Sequence, residues 1–189
     1  MQFQGAEEGI GSGGPMGRRS LLFGVHQFLW HPLTVALAWR RLYGWPGWRE
    51  SVCILIHDWG YWLTPNMDGP EGSRHPEFGA GIACRLFGPE YRDLVLYHSR
   101  HYAAVAGAEP SRLAWADKLS VLYEPIWWYL LRARLSGEII EYRREAALFG
   151  AVDISASDRE WFVWLQSYYA ATVQAFREDL GRGASKKGG

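Results

Sequence analysis

Proline recurs at Pro32, Pro46, Pro76, Pro89, Pro110 and Pro125, dividing the chain into helix-sized pieces. The pyrrolidine ring presets φ and removes an N–H that would have no partner in a first helical turn, so each proline suits a helix start and no helix interior. Gly44, Gly88 and Gly150 stand where stops are needed, because glycine accepts the left-handed conformation that ends many helices. Ser157 and Glu160 have capping-box spacing. They precede a stretch in which Trp161, Trp164, Leu165, Tyr168 and Tyr169 recur at three- and four-residue steps. No window alternates convincingly with period two. The sequence therefore predicts helices near 19–30, 32–43, 47–62, 76–87, 89–103, 111–123, 125–135, 137–149 and 157–180, and an all-α fold.

A chain of 189 residues is long enough for one compact domain with a substantial core. Residues 1–17 are glycine-rich and read as a flexible tail, 18–180 as the helical domain, and 181–189 as a second flexible tail. Gly9, Gly11 and Gly14 match a dinucleotide fingerprint, but no strand precedes them, and the match is set aside. The 20 basic and 20 acidic residues balance, which excludes a nucleic-acid footprint, and Lys186-Lys187 is too short for a basic tail. Cys53 and Cys84 form no spacing motif and read as free thiols of a reducing compartment. Glu7 and Glu8 occupy the place of a positive leader region, and no run of about 18 apolar residues occurs, so the expected location is the cytoplasm. With 11 Trp, 10 Tyr and 8 Phe, the chain carries many large rings to bury. The aromatic segment from Tyr123 to Tyr142 is expected to close the core or line a homodimer interface rather than to anchor in a membrane.

Ionisable side chains inside apolar stretches carry the chemistry. Asp58 follows four apolar residues and His57, and Asp117 lies within LAWADKLSVL. A carboxylate in a core costs several kcal/mol unless it is paired or holds a metal. Arg49 or Arg74 could pair with Asp58, and a neighbouring helix could supply a partner for Asp117. Of the six histidines, His26, His31, His57, His75, His98 and His101, any one alone could be a hydrogen-bonded core residue. Their joint occurrence with two such aspartates points to metal ligation. Helical spacing puts Leu94, His98, His101 and Tyr102 on one face, and Leu113, Asp117 and Val121 on another. His31 and His75 precede prolines, which disfavours the α region at both and places them at helix starts.

The order His31, His57-Asp58, His75, His98, Asp117, with HDWGY and WADKL, resembles the signature of the HD-domain superfamily over roughly residues 26–125. The resemblance implies a helical bundle of that type and two divalent metals of unresolved identity (Fe, Mn, Zn, Co, Ni or Mg). His31, His57, Asp58 and Asp117 match the ligands of one metal, His75 and His98 those of a second, and Asp58 would bridge. His101 departs from the adjacent-histidine pattern of five-histidine members and is expected to serve as a further ligand, a proton donor or a supporting residue. His26, five residues before His31, is the less favoured choice for the first ligand.

Two divalent ions held by four neutral imidazoles and two carboxylates leave a charge of about +2 that attracts an anion. The expected function is hydrolysis of a phosphate ester (phosphomonoester, nucleotide or phosphodiester) by a metal-activated water, making the chain a hydrolase for a small phosphorylated substrate. Asp58, His101, Lys118 and Arg100 are the expected catalytic residues, with Arg74 as a further cation able to meet phosphate. The same ligand set also suits a di-iron oxygenase, and a non-catalytic, metal-stabilised regulatory domain is the third alternative.

Overall fold

Ten α-helices and no strand occur among the residues that the computed structural model describes, 16–67 and 71–186. They are α1 Met16–Phe23, α2 Trp30–Tyr43, α3 Trp48–Ile56, α4 Pro76–Phe87, α5 Pro89–Leu96, α6 Arg100–Val105, α7 Arg112–Ser120, α8 Ile126–Ser136, α9 Glu138–Leu148 and α10 Asp158–Lys186. Short 3-10 turns cover Trp59–Leu63, Gly72–Arg74 and Val121–Tyr123. The glycine fingerprint and the first tail through residue 15 lie outside the described residues, as do residues 187–189.

Much of the punctuation works as its chemistry requires. Pro76 and Pro89 open α4 and α5, and Gly44, Gly88 and Gly150 take φ of 87°, 95° and 66° at helix ends. The Ser157 hydroxyl and N–H both donate to Glu160 Oε2 at 2.7 Å, and Glu160 N–H returns a bond to Ser157 Oγ, closing the box at the head of α10. That helix runs to Lys186, past the expected stop at 180. Gly181 and Gly183 weaken a helix by only about 1 kcal/mol each and do not forbid it. Other prolines are offset: Pro32 lies inside the first turn of α2, and Pro125 is the residue before α8.

Three predicted helices are broken, each where a side chain takes over a backbone group. The expected helix 19–30 ends at Phe23, because Arg132 Nη1 takes the carbonyls of Gly24 and Val25, both at 3.1 Å. The expected helix 47–62 ends at Ile56: His57 Nδ1 donates to the Ile54 carbonyl at 2.7 Å, and Asp58 adopts φ −98°, ψ 0°. The expected helix 89–103 breaks at Ser99, whose ψ of 119° is extended. There His98 Nδ1 takes the Val95 carbonyl, while Ser111 supplies donors to Leu94 and Tyr97. This break overturns the shared face of His98 and His101. Both pre-proline histidines stand at helix starts as expected, His75 just before α4 and His31 in the first turn of α2, but His75 takes the α region, φ −50°, ψ −34°, that the following proline disfavours.

Two apolar clusters organise the bundle. Val35, Trp39, Ile54, Ile56, Ala83, Val95, Leu113 and Ala116 join α2, α3, α4, α5 and α7. Val121, Tyr129, Leu130, Ile139, Trp161 and Phe162 join α8, α9 and α10. Within the Tyr123–Tyr142 segment the inward side of α8 carries Tyr129, Leu130 and Ala133, while Trp127, Leu131 and Leu135 form an exposed stripe at four-residue steps. No described helix is long and apolar enough to cross a membrane. Cys53 is a buried free thiol and Cys84 a half-buried one.

Candidate metal centre

Helix ends generate the site. The last carbonyls of a helix lack intrahelical partners, and three histidines exploit this in the same way. His57 Nδ1 donates to Ile54 O, His75 Nδ1 to Gly72 O and His98 Nδ1 to Val95 O, each three residues back, at 2.7, 2.7 and 2.5 Å. A carbonyl only accepts, so each Nδ1 carries the proton and each Nε2 presents a lone pair. This is the tautomer and orientation that metal-binding histidines require.

Those lone pairs converge on Asp58. His31 Nε2 and His57 Nε2 lie 3.2 and 3.3 Å from Asp58 Oδ2, and 3.2 and 3.9 Å from Asp117 Oδ1. On the other side, His75 Nε2 and His98 Nε2 each lie 3.5 Å from Asp58 Oδ1 and 3.0 Å from one another. Asp58 therefore turns one oxygen to each group. Both triplets, His31-His57-Asp58 and Asp58-His75-His98, could hold a metal ion. His31 Nε2, His57 Nε2 and Asp58 Oδ2 are buried with no hydrogen-bond partner of acceptable geometry. Two donors about 2.1 Å from one cation at angles of 90–110° stand roughly 3.0–3.4 Å apart, so the donor set fits.

The electrostatics keep both carboxylates ionised and make His31 the imidazole that answers their charge. Burial alone would raise both aspartates, yet the neighbouring His57 and His26 hold Asp58 well below the usual carboxylate range, and Lys118 and His31 do so for Asp117. Burial opposes charge on His31, but Asp117 and Asp58 outweigh it and push its pKa up to about 10. Burial and the neighbouring His98 bring His75 down to about 3, so its imidazole is neutral. Stripping metal from the protein with a chelator is expected to lower the thermal midpoint, and re-addition to restore it. At free metal 100-fold above Kd the stabilisation is about 2.7 kcal/mol. A differential-scanning trace unchanged by chelator would contradict a metal site.

Two glycines permit the approach. A Cβ on Gly60 would stand 2.0 Å from the His75 carbonyl oxygen, and one on Gly79 2.5 Å from that of Ile56. Both neighbours are backbone and cannot swing away. Gly60→Ala is expected to cost about 1–3 kcal/mol and to displace His75, so that elemental analysis finds the His75-side metal lost and the other kept.

The expected catalytic residues are placed unevenly. Lys118 donates to Asp117 Oδ2 at 3.1 Å, and Lys118 and Arg100 both line a cavity of about 640 Å³ that borders His31 and Asp117. His101 is exposed beside Tyr102 and does not line that cavity. Arg74 is exposed and paired with Glu77, and Arg49 lies against Trp48 and Tyr91, so neither is the partner of Asp58.

Sequence reasoning undervalued His26. Its Nδ1 is 3.1 Å from Glu138 Oε1 and its Nε2 4.0 Å from Asp58 Oδ2, and it lines the same cavity. Glu138 is fully buried and also accepts bonds from Ser20, Ser136, Tyr142 and the Val25 N–H. His26, with Ser136 and Ser20, holds Glu138 below the usual range against the opposing effect of burial. Glu138 opens α9 between Ser136-Gly137 and the Ile139-Ile140 pair, where an acidic residue is ordinary for a first helical turn, and the 112 residues that separate it from His26 hide the pairing.

Fold and site together define an all-helical protein with a buried His/Asp cluster able to hold metal. Compared with protein-family models, curated proteins and solved structures, the chain matches none of them.

Proposed function

We propose that the chain is a metal-dependent phosphohydrolase with a dinuclear centre bridged by Asp58. One observation carries this reading: with both Nδ1 atoms bonded to carbonyls, the Nε2 atoms of His75 and His98 face each other at 3.0 Å, each 3.5 Å from Asp58 Oδ1, a close approach of acceptors that a shared proton or a metal cation among them relieves. The ligand order resembles that of HD-domain phosphohydrolases, which supports hydrolysis and a bundle of that type. When bound, two divalent ions lower the pKa of a coordinated water towards about 7 and so supply hydroxide at neutral pH.

The chain's own residues do the rest. Lys118 and Arg100 line the cavity beside the ligands and offer positive charge to a phosphate. Glu138 accepts a hydrogen bond from the Nδ1–H of His26, which leaves Nε2 as the atom that accepts a proton from the attacking water and returns it to the departing alcohol. His26→Gln is expected to lower kcat by about 10²–10⁴-fold with metal content unchanged. An unaltered kcat would remove His26 from the mechanism.

Elemental analysis of protein purified without added metal, followed by a phosphate-ester screen with Mn, Co, Ni, Zn, Fe or Mg, tests the function. Hydrolysis without oxygen uptake is the expected result. Two irons per chain with substrate-dependent oxygen consumption would make it an oxygenase. Metal-dependent stability without any turnover would make it a structural or regulatory domain.

A further inference from the structure

The 3-10 turn Trp59–Leu63 follows directly on Asp58. Within it the Tyr61 N–H donates to the Asp58 carbonyl at 3.0 Å, so Tyr61 stands one turn beyond the carboxylate shared by the two histidine groups. The Tyr61 ring lies face to face with the His75 imidazole, with centroids 3.9 Å apart and planes 14° from parallel. The other three histidines of the cluster meet neighbouring rings only edge-on or tilted. The same ring stands 5.0 Å from that of His26, tilted by 48°. Tyr61 is itself held, being buried in a small apolar cluster with Leu21 and Met67. The bond from His75 Nδ1 to the Gly72 carbonyl fixes one atom of the imidazole, and a ring pinned at one atom can still tilt about it. A flat face packed against it sets the plane, and with the plane the direction of the Nε2 lone pair.

Resting on the dinuclear centre of the phosphohydrolase reading, we propose that Tyr61 is a positioning residue whose ring sets the plane of His75 and thereby the affinity of the ion held by His75, His98 and Asp58. The aromatic face carries this role and the hydroxyl does not. Asp58 and Tyr61 share one turn, so the shared carboxylate and the plate behind His75 move as a unit.

Titration of the full, metal-free chain with cobalt(II), followed by visible spectrum and by elemental analysis, tests this. Wild type and Tyr61→Phe should bind two ions with equal affinity. Tyr61→Leu should keep the ion on the His31 side and bind the second about tenfold more weakly, the scale of one aromatic pair. Leu21→Ala loosens the same apolar cluster without removing the stacked ring, and it should bind both ions as the wild type does. Wild-type affinity for both ions in Tyr61→Leu, or a weakened second ion in Tyr61→Phe or Leu21→Ala, would overturn the proposal. Should Tyr61→Leu not fold, proton NMR of the metal-free wild type decides. The ring current of a stacked Tyr61 moves the His75 ring protons upfield of their positions in free histidine, and the shift should persist in Tyr61→Phe. Unshifted His75 protons would count against the stack. None of these readouts depends on turnover. A second ion that weakens in Tyr61→Leu, with no ester hydrolysed by the wild type, retains the role of Tyr61 and removes the phosphohydrolase reading. Hydrolysis by a Tyr61→Leu variant that holds both ions as tightly as the wild type does the reverse. A wild type that binds fewer than two ions overturns the bridged centre and this role together.

Discussion

Asp58→Ala is expected to abolish both metal positions and all metal-dependent activity, leaving purified protein with well under one ion per chain. Among the described residues, Asp58 alone turns its carboxylate to both groups, with Oδ2 at 3.2–3.3 Å from His31 and His57 and Oδ1 at 3.5 Å from His75 and His98. Removing it leaves one group with two histidines and Asp117, and the other with two histidines alone. The loss of an ionised ligand from a buried, water-poor site cannot be made good by solvent. Retention of two ions per chain in the variant, measured by elemental analysis on folded protein, would refute the bridged centre. Asp117→Asn sharpens the comparison. It touches one group only and is expected to spare the metal held by His75, His98 and Asp58.

Arg132→Met is expected to destabilise the fold by about 3–5 kcal/mol, the usual consequence of removing one partner of a buried ion pair. Arg132 is 2% exposed. It donates to Glu124 at 2.6 Å and holds the carbonyls of Gly24 and Val25. The substitution strands Glu124, which is 5% exposed and keeps only the Trp30 indole as a side-chain donor to its carboxylate. It also frees the turn that carries His26. Pairing it with Glu124→Leu should recover part of the loss, because the isolated charge is then gone. Urea denaturation of the single and double variants measures both effects. A single-variant loss below 1 kcal/mol would mean that the pair is not what anchors the turn.

Some of this was legible in the sequence and some was not, for identifiable reasons. Proline, glycine and capping signals are local, so Pro76, Pro89, Gly44, Gly88 and the Ser157–Glu160 box could be read directly. The buried His/Asp cluster was legible because histidines and aspartates in apolar runs are costly unless compensated. The breaks at Ile56 and Ser99 escaped periodicity, since apolar spacing continues through both while the interruption comes from His57 and His98 bonding to carbonyls. His101 was consequently placed on the wrong face, and His26 was passed over because its partner Glu138 is remote in sequence.

By itself, then, the sequence determined that the chain is helical, and it singled out His31, His57, Asp58, His75 and His98, which the fold gathers into one buried cluster. Both follow from local rules of backbone and solvation. Only the tertiary structure decided which carboxylate oxygen faces which histidine, and that His26 rather than His101 borders the cavity. Those depend on where helices end and what they pack against. Such distances are set by contacts between residues far apart in the chain, for which no short-range pattern exists.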